Sequence, residues 1–301
     1  MIRRQRPETI REYLDDYCLR RDIRANTVHQ YRVAIDLFTR WAGRDVRLDE
    51  LDERLVSEWL QAYSATVKPH TVRAKKGMVL ALWRAASDEN LCDEPRARRV
   101  RRVRLPENVV VAWSKAEVEK LLAASATLPR WHRCGLRRSA WWDLAIRVAW
   151  DSGTRWGDLV RLRVDQIGPD GAYTVSQSKT GKVTAFRLSP STMDALRSTL
   201  AACPRTLICP WPASGETFRK QVDVLVARAG IRPGTWKWIR RGSGTDVELQ
   251  ARGFGHRHLG NTPAVFRASY EDQTITGTDV PAPRELLPPG LQEGDHRAAA
   301  G

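Results

Sequence analysis

The 301-residue chain contains no apolar run approaching the ~18 residues that a membrane-spanning helix requires, which excludes such a helix. Its five cysteines (Cys18, Cys92, Cys134, Cys203 and Cys209) are scattered, with no C-x-x-C pair and no histidine at zinc-ligand spacing. Neither a disulfide framework nor a structural metal is therefore expected. The opening Met1-Ile-Arg-Arg-Gln-Arg runs directly into Pro7-Glu-Thr-Ile with no apolar segment between, so no secretory signal is expected and the chain is read as cytoplasmic. H-E-x-x-H, paired-aspartate and G-x-S-x-G patterns are absent, which leaves a serine or water nucleophile without an evident base or metal. Tyrosine is scarce, with six in all, and only Tyr270 lies beyond Tyr173. No internal repeat is present.

Acidic residues are also in short supply. Fifty Lys and Arg stand against 35 Asp and Glu, for a net charge of +15, and a surplus of that size points to a polyanionic partner, nucleic acid first. An arginine-biased composition without such a partner is the alternative reading. At ~100–200 residues per domain the length suits two domains, each able to bury its own core.

The first hundred residues carry four amphipathic patterns and no strand signal, predicting helices near Thr9 to Arg20, Thr27 to Trp41, Glu50 to Tyr63 and His70 to Ser87. In the second, Val28, Tyr31, Ala34, Ile35, Phe38 and Trp41 recur at i, i+3, i+4 spacing and Gly43 closes the pattern, marking a core stripe. Acids cluster at Asp49, Glu50, Asp52, Glu53 and Glu58, so a nucleic acid is expected on the opposite side, at Arg73, Lys75, Lys76 and Arg84. Periodicity then stops. Arg96, Arg98, Arg99, Arg101, Arg102 and Arg104 follow with no acid among them, and counterion release rewards laying such a run along a phosphate backbone. The expected divisions are a helical DNA-binding domain over 1–94, a basic linker over 95–112, a second domain over 113–275 and a tail over 276–301.

The second domain opens at Ser114-Lys-Ala-Glu117, a capping-box signature. The helix from Ser139 to Asp151 is apolar nearly all round and is expected at the centre of the core. Residues 172–178 and 183–188, joined through Lys179-Thr-Gly-Lys182, predict a hairpin. Further helices are expected at Ser191 to Ala202, Thr217 to Ala229, Trp236 to Gln250 and Thr262 to Glu271. The fold class is thus mainly α with a small β-hairpin (α+β).

Four features occur in order along this domain: Ser152-Gly-Thr-Arg155, Lys179 on the hairpin, Lys237-Trp-Ile-Arg240-Arg241, and Leu259-Gly-Asn261 followed nine residues on by Tyr270. Two arginines can neutralise the non-bridging oxygens of a phosphodiester bidentately, which ammonium groups cannot do. A tyrosine nucleophile needs neither base nor metal. Together the features resemble the tyrosine recombinases, the phage-integrase family of DNA strand-exchange enzymes, over about residues 113 to 275, and the preceding bundle and basic run look like that family's core-binding domain. The resemblance implies a catalytic set of Arg155, Lys179, Lys237, Arg240, Asn261 and Tyr270. In that set Tyr270 forms a 3′-phosphotyrosyl link, Arg155 and Arg240 clamp the phosphate, and Lys179 (or Lys182 behind it) protonates the leaving 5′ oxygen. Arg241 joins the DNA-contacting set.

No metal or other cofactor is implied. The implied partner is double-stranded DNA, bound as a homotetramer on paired sites, with a monomer allowed in its absence and a nucleoid-associated location. It also implies that Leu286 and Leu287 of the proline-rich tail dock on a neighbouring protomer. Two positions depart from the family pattern, with Lys237 in place of the usual histidine and Asn261 where histidine or tryptophan is usual. At a reference pKa near ~10.4 a lysine is a poor base at neutral pH, and an asparagine cannot titrate. His256 or His258 would enter the site only under a shifted register. A weakened or non-catalytic DNA-binding protein of the same fold, and a type IB topoisomerase-like relaxing enzyme, are the alternatives.

Overall fold

The computed structural model describes residues 6–107, 109–177 and 181–277. Lys179 and the tail leucines Leu286 and Leu287 lie outside them. The chain divides into two compact units, Met1–Glu107 and Asn108–Gly301.

The first unit is a bundle of α1 (Ile10–Arg20), α2 (Ala25–Ala42), α3 (Glu53–Ser64) and α4 (Pro69–Asp88). Thr9 and Glu12 cap the start of α1 reciprocally, and Gly43, at φ 71°, ends α2. The third helix begins later than its periodicity suggests. Leu48–Glu50 form a separate 3₁₀ turn, and the Asp52 side chain accepts from Leu55 N and starts α3 afresh. Tyr13, Ile35, Phe38, Trp59, Leu82 and Trp83 fill the core, with the Phe38 and Trp59 ring centroids 5.1 Å apart. Residues just after α4 belong to this bundle as well: Val100 is 3% exposed and lies in the core among them. The arginine run therefore reads as an arm fastened to its own helical unit, and not as a free connector.

The second unit is built on α6 (Arg138–Ser152), the all-round apolar helix. Trp141, Trp142, Leu144, Ile146 and Val148 on it are buried, as its pattern requires. Around it pack α5 (Lys115–Ala126), α8 (Pro190–Ala202), α10 (Lys237–Gln250) and the hairpin, while α9 (Gly215–Ala229) lies on α5. The hairpin strands β1 (Ala172–Ser176) and β2 (Val183–Arg187) are antiparallel, with Tyr173 opposite Phe186. Short α7 (Trp156–Leu159) follows α6. Three short helices, α11 (Gly255–His258), α12 (Pro263–Ser269) and α13 (Gln273–Thr276), close the described chain. Tyr270 is the residue just past α12, at φ −132°, and so leaves the helix that was expected to run to Glu271. Among the described residues no helix is long and apolar enough to cross a membrane.

Candidate active site

Arg155, Lys237, Arg240 and Tyr270 converge in the second unit. The turn that delivers Arg155 depends on Gly153 at φ 55°, where an added Cβ would lie 2.3 Å from a Leu259 methyl. Gly260, at φ 66°, makes the second tight turn, and a Cβ there would sit 2.6 Å from both Gln177 Nε2 and Thr184 Oγ1. These two glycines let the loop after α6, the loop after α11 and the end of the hairpin come together.

Arg240, on the first turn of α10, is 4% exposed. Its Nη1 donates to the Gly153 carbonyl and its Nη2 to the Leu259 carbonyl at 2.7 Å. Burial first, then repulsion from Arg155, pushes its pKa down to about 10, so it remains a cation at neutral pH. The guanidinium carbon lies 5.0 Å from the Tyr270 ring centroid, and the Lys237 ammonium 5.1 Å from the same ring. The Tyr270 phenol is held below its ordinary pKa. Burial would raise it, but the opposing charges of Arg240, Arg155 and Lys237 win.

Asn261 sits in the turn after Leu259, anchored by its backbone N–H to the His256 carbonyl at 2.8 Å. Its Nδ2 is buried and makes no hydrogen bond among the described residues, and neither does Arg240 Nε. Unpaired donors of this kind cost free energy unless a ligand supplies the acceptors.

Gln177, which the sequence did not single out, joins the candidate site. It is 3% exposed, its Oε1 accepts from Arg155 Nη1, and its Nε2 donates to Thr184 Oγ1 at 3.0 Å and to the Leu259 carbonyl at 3.2 Å. Thus one amide holds Arg155 and shares with Arg240 the carbonyl that positions it. The alternation Tyr173, Val175, Gln177 along the strand was the available signal, since it turns a polar side chain inward.

His258 is half-buried against Ser243. Its Nε2 is 2.7 Å from Ser243 Oγ, and burial, reinforced by Arg240, lowers its pKa to about 4, so it is neutral. Lys182 is exposed at the end of the hairpin.

Three of the expected DNA-contacting residues are used within the protein. Lys75 is 6% exposed, with its ammonium on the Gln30 carbonyl at 3.3 Å and side-chain oxygen at 3.1 Å. Lys76 donates to the carbonyls of Val100 and Arg101 at 3.1 and 2.7 Å, fastening the arginine run to α4. Arg241 donates to the Ser269 carbonyl at 3.1 Å and the Val111 carbonyl at 2.9 Å, where it braces the backbone beside Tyr270. Arg73, Arg96, Arg98, Arg99, Arg101, Arg102 and Arg104 are exposed. A groove of about 840 Å³ is lined by Arg73, Lys76, Arg98, Arg102 and Arg104.

Residues 10–96 match the family model described as phage integrase, N-terminal SAM-like domain. No curated protein matches the chain. Among solved structures, a lambda integrase dimer bound to a COC′ core site superposes with TM-score 0.69 at 22% identity, covering 84% of this chain and 95% of that one. A lambda integrase tetramer bound to a Holliday junction gives 0.71 at 21%, covering 88% and 78%. The XerH site-specific recombinase on palindromic difH substrate, a post-cleavage complex, gives 0.64 at 16%, covering 90% and 82%. Residues 10–96 are thus similar to the phage-integrase N-terminal SAM-like domain, and the chain as a whole shares the fold of the lambda integrase and XerH structures.

Proposed function

We propose that the protein is a site-specific DNA recombinase or integrase that cuts and rejoins duplex DNA through Tyr270. The phenol gives up its proton to water and its oxygen attacks the scissile phosphorus, forming a 3′-phosphotyrosyl bond as the bond to the 5′ oxygen breaks. That oxygen leaves with a proton from Lys179, and the reverse attack by a 5′ hydroxyl reseals the strand. Arg155 and Arg240 neutralise the two non-bridging oxygens. Lys237 adds a charged donor, and Asn261 a neutral one. Because these cations carry the charge of the transition state, no metal or nucleotide is required.

The observation that carries this reading is a phenol ringed by the Arg240 guanidinium and the Lys237 ammonium, at 5.0 and 5.1 Å from its ring, beside two buried donors, Arg240 Nε and Asn261 Nδ2, that lack acceptors among the described residues. A phosphodiester supplies acceptors, and the phenol supplies the nucleophile. Assembly as a tetramer on paired sites, with a monomer in the absence of DNA, belongs to the same proposal.

The test is incubation with nicked duplexes carrying the cognate site, followed by denaturation. A covalent protein–DNA adduct is expected from the wild type and none from Tyr270→Phe, with DNA affinity nearly unchanged. An adduct from Tyr270→Phe would transfer the role to another nucleophile. Tight DNA binding with no adduct from the wild type would favour a non-catalytic DNA-binding protein on this fold.

A further inference from the structure

From Lys120 to Trp142, between Glu119 and Asp143, the chain has no acidic residue, yet it carries Arg130, Arg133, Arg137 and Arg138. The loop between α5 and α6 that bears them is tightly built. Trp131 and Arg137 form an antiparallel bridge, His132 N donates to the Leu136 carbonyl at 2.6 Å, and Arg138 N donates to the Arg130 carbonyl at 3.1 Å. Arg130 is held at φ 76°, a left-handed conformation unusual for a residue with a Cβ. His132 anchors the loop inward, its ring stacked on Trp141 at 5.0 Å and 12°. Burial, aided by Arg138 and Arg133, lowers its pKa to about 4, so the anchor is neutral.

The loop's other face is turned to solvent. Arg130, Arg133 and Arg137 are exposed, and Trp131 is 66% exposed, with the Arg137 guanidinium carbon 5.3 Å from its ring centroid. Among the described residues no carboxylate pairs with these three arginines, whereas Arg147 and Arg163 nearby in sequence do find one. The first turn of α6, whose N-terminal end carries partial positive charge, also lacks an acid. A hydrogen-bonded loop that holds three guanidiniums without carboxylate partners among the described residues around an open indole, at a positive helix end, is complementary to a polyanion with partly apolar sugars.

We propose that residues 130–137 are a DNA-contacting element separate from the arginine run and from the Tyr270 site, with Arg130, Arg133 and Arg137 on the phosphates of duplex DNA and Trp131 against its deoxyriboses. This rests on the reading of DNA as partner. Such contacts set position and affinity and carry no base sequence.

The experiment measures binding of the full chain to a short duplex of arbitrary sequence over a salt series. Changing Arg130, Arg133 and Arg137 together to Gln should reduce the slope of log affinity against log salt by ~0.9 for each lost phosphate contact, up to ~2.7 in all. The same three changed to Lys should keep the slope. Trp131→Ala should weaken binding several-fold with the slope unchanged. Circular dichroism checks folding, and the single Arg→Gln variants replace the triple if that variant does not fold. A wild-type slope in the Gln variants overturns the proposal, and so does a change in oligomeric state of the DNA-free Trp131→Ala protein with unaltered DNA binding, which would make the loop a protein contact. If the wild type binds no duplex at all, it is the DNA-partner reading that fails, and this inference falls with it.

Discussion

At the scale of single residues, the site depends on groups held by backbone carbonyls and one amide. Arg240 is fixed by the Gly153 and Leu259 carbonyls, and Arg155 by Gln177. Arg155→Lys is expected to lower single-turnover cleavage by ~10²–10³, because an ammonium cannot reproduce a bidentate contact. Gln177→Leu should keep DNA affinity and yet lower cleavage by about tenfold or more, through misplacement of Arg155. It should also raise the Tyr270 pKa, read as the tyrosinate absorbance that Tyr270→Phe removes. Unaltered cleavage and titration would make Gln177 a packing residue alone.

Histidine 258 gives a pH prediction. Its folded pKa, about 4, lies below the ordinary value of 6.5, so the unfolded chain binds the extra proton first as pH falls. The stability it contributes is complete above about pH 6.5 and is lost between there and about pH 4. His132, lowered to about 4 as well, acts in the same direction. Melting temperature should therefore fall through this window, and His258→Gln should flatten the fall.

At the scale of elements, the tight approaches are made by turns. Gly153→Ala would place a methyl against Leu259 at a positive φ, and Gly260→Ala would place one against Gln177 and Thr184. Each is expected to cost about 2 kcal/mol or more, seen as a shifted denaturant midpoint, with cleavage lost together with the turn. The arginine run behaves as an arm on the first unit, since Val100 is buried and Lys76 holds its backbone, leaving the arginine side chains outward. Replacing Arg98, Arg99, Arg101 and Arg102 by Gln should weaken binding to all DNA sequences alike and flatten the salt dependence by ~0.9 per lost contact. Helix existence was legible in the sequence because apolar spacing and caps such as Ser114 with Glu117 are local signals. Helix ends were less so. Asp52 restarted the third helix, and the chain left α12 before Tyr270, both through side-chain or tertiary contacts that periodicity does not encode.

At the scale of the whole molecule, two units divide the work that the resemblance assigns, with the SAM-like domain and its arginine arm in one and the Tyr270 site in the other. Since the proposed chemistry draws its positive charge from arginine and lysine, a chelator should leave adduct formation unchanged. Strong inhibition would call for a metal mechanism.

The sequence by itself determined the mainly helical class with one hairpin, the central place of the helix expected from Ser139 to Asp151, and the order of Arg155, Arg240, Asn261 and Tyr270 along the chain. These follow from spacing and composition, which any segment carries within itself. Which cations face outward was decided only by tertiary structure. Lys75 and Arg241 look like surface charges in sequence, yet packing brings carbonyls within their reach and turns them into internal braces. Gln177 shows the converse. An ordinary polar residue became the link between Arg155 and the Leu259 turn because the close approaches at Gly153 and Gly260 brought three distant segments within hydrogen-bonding range.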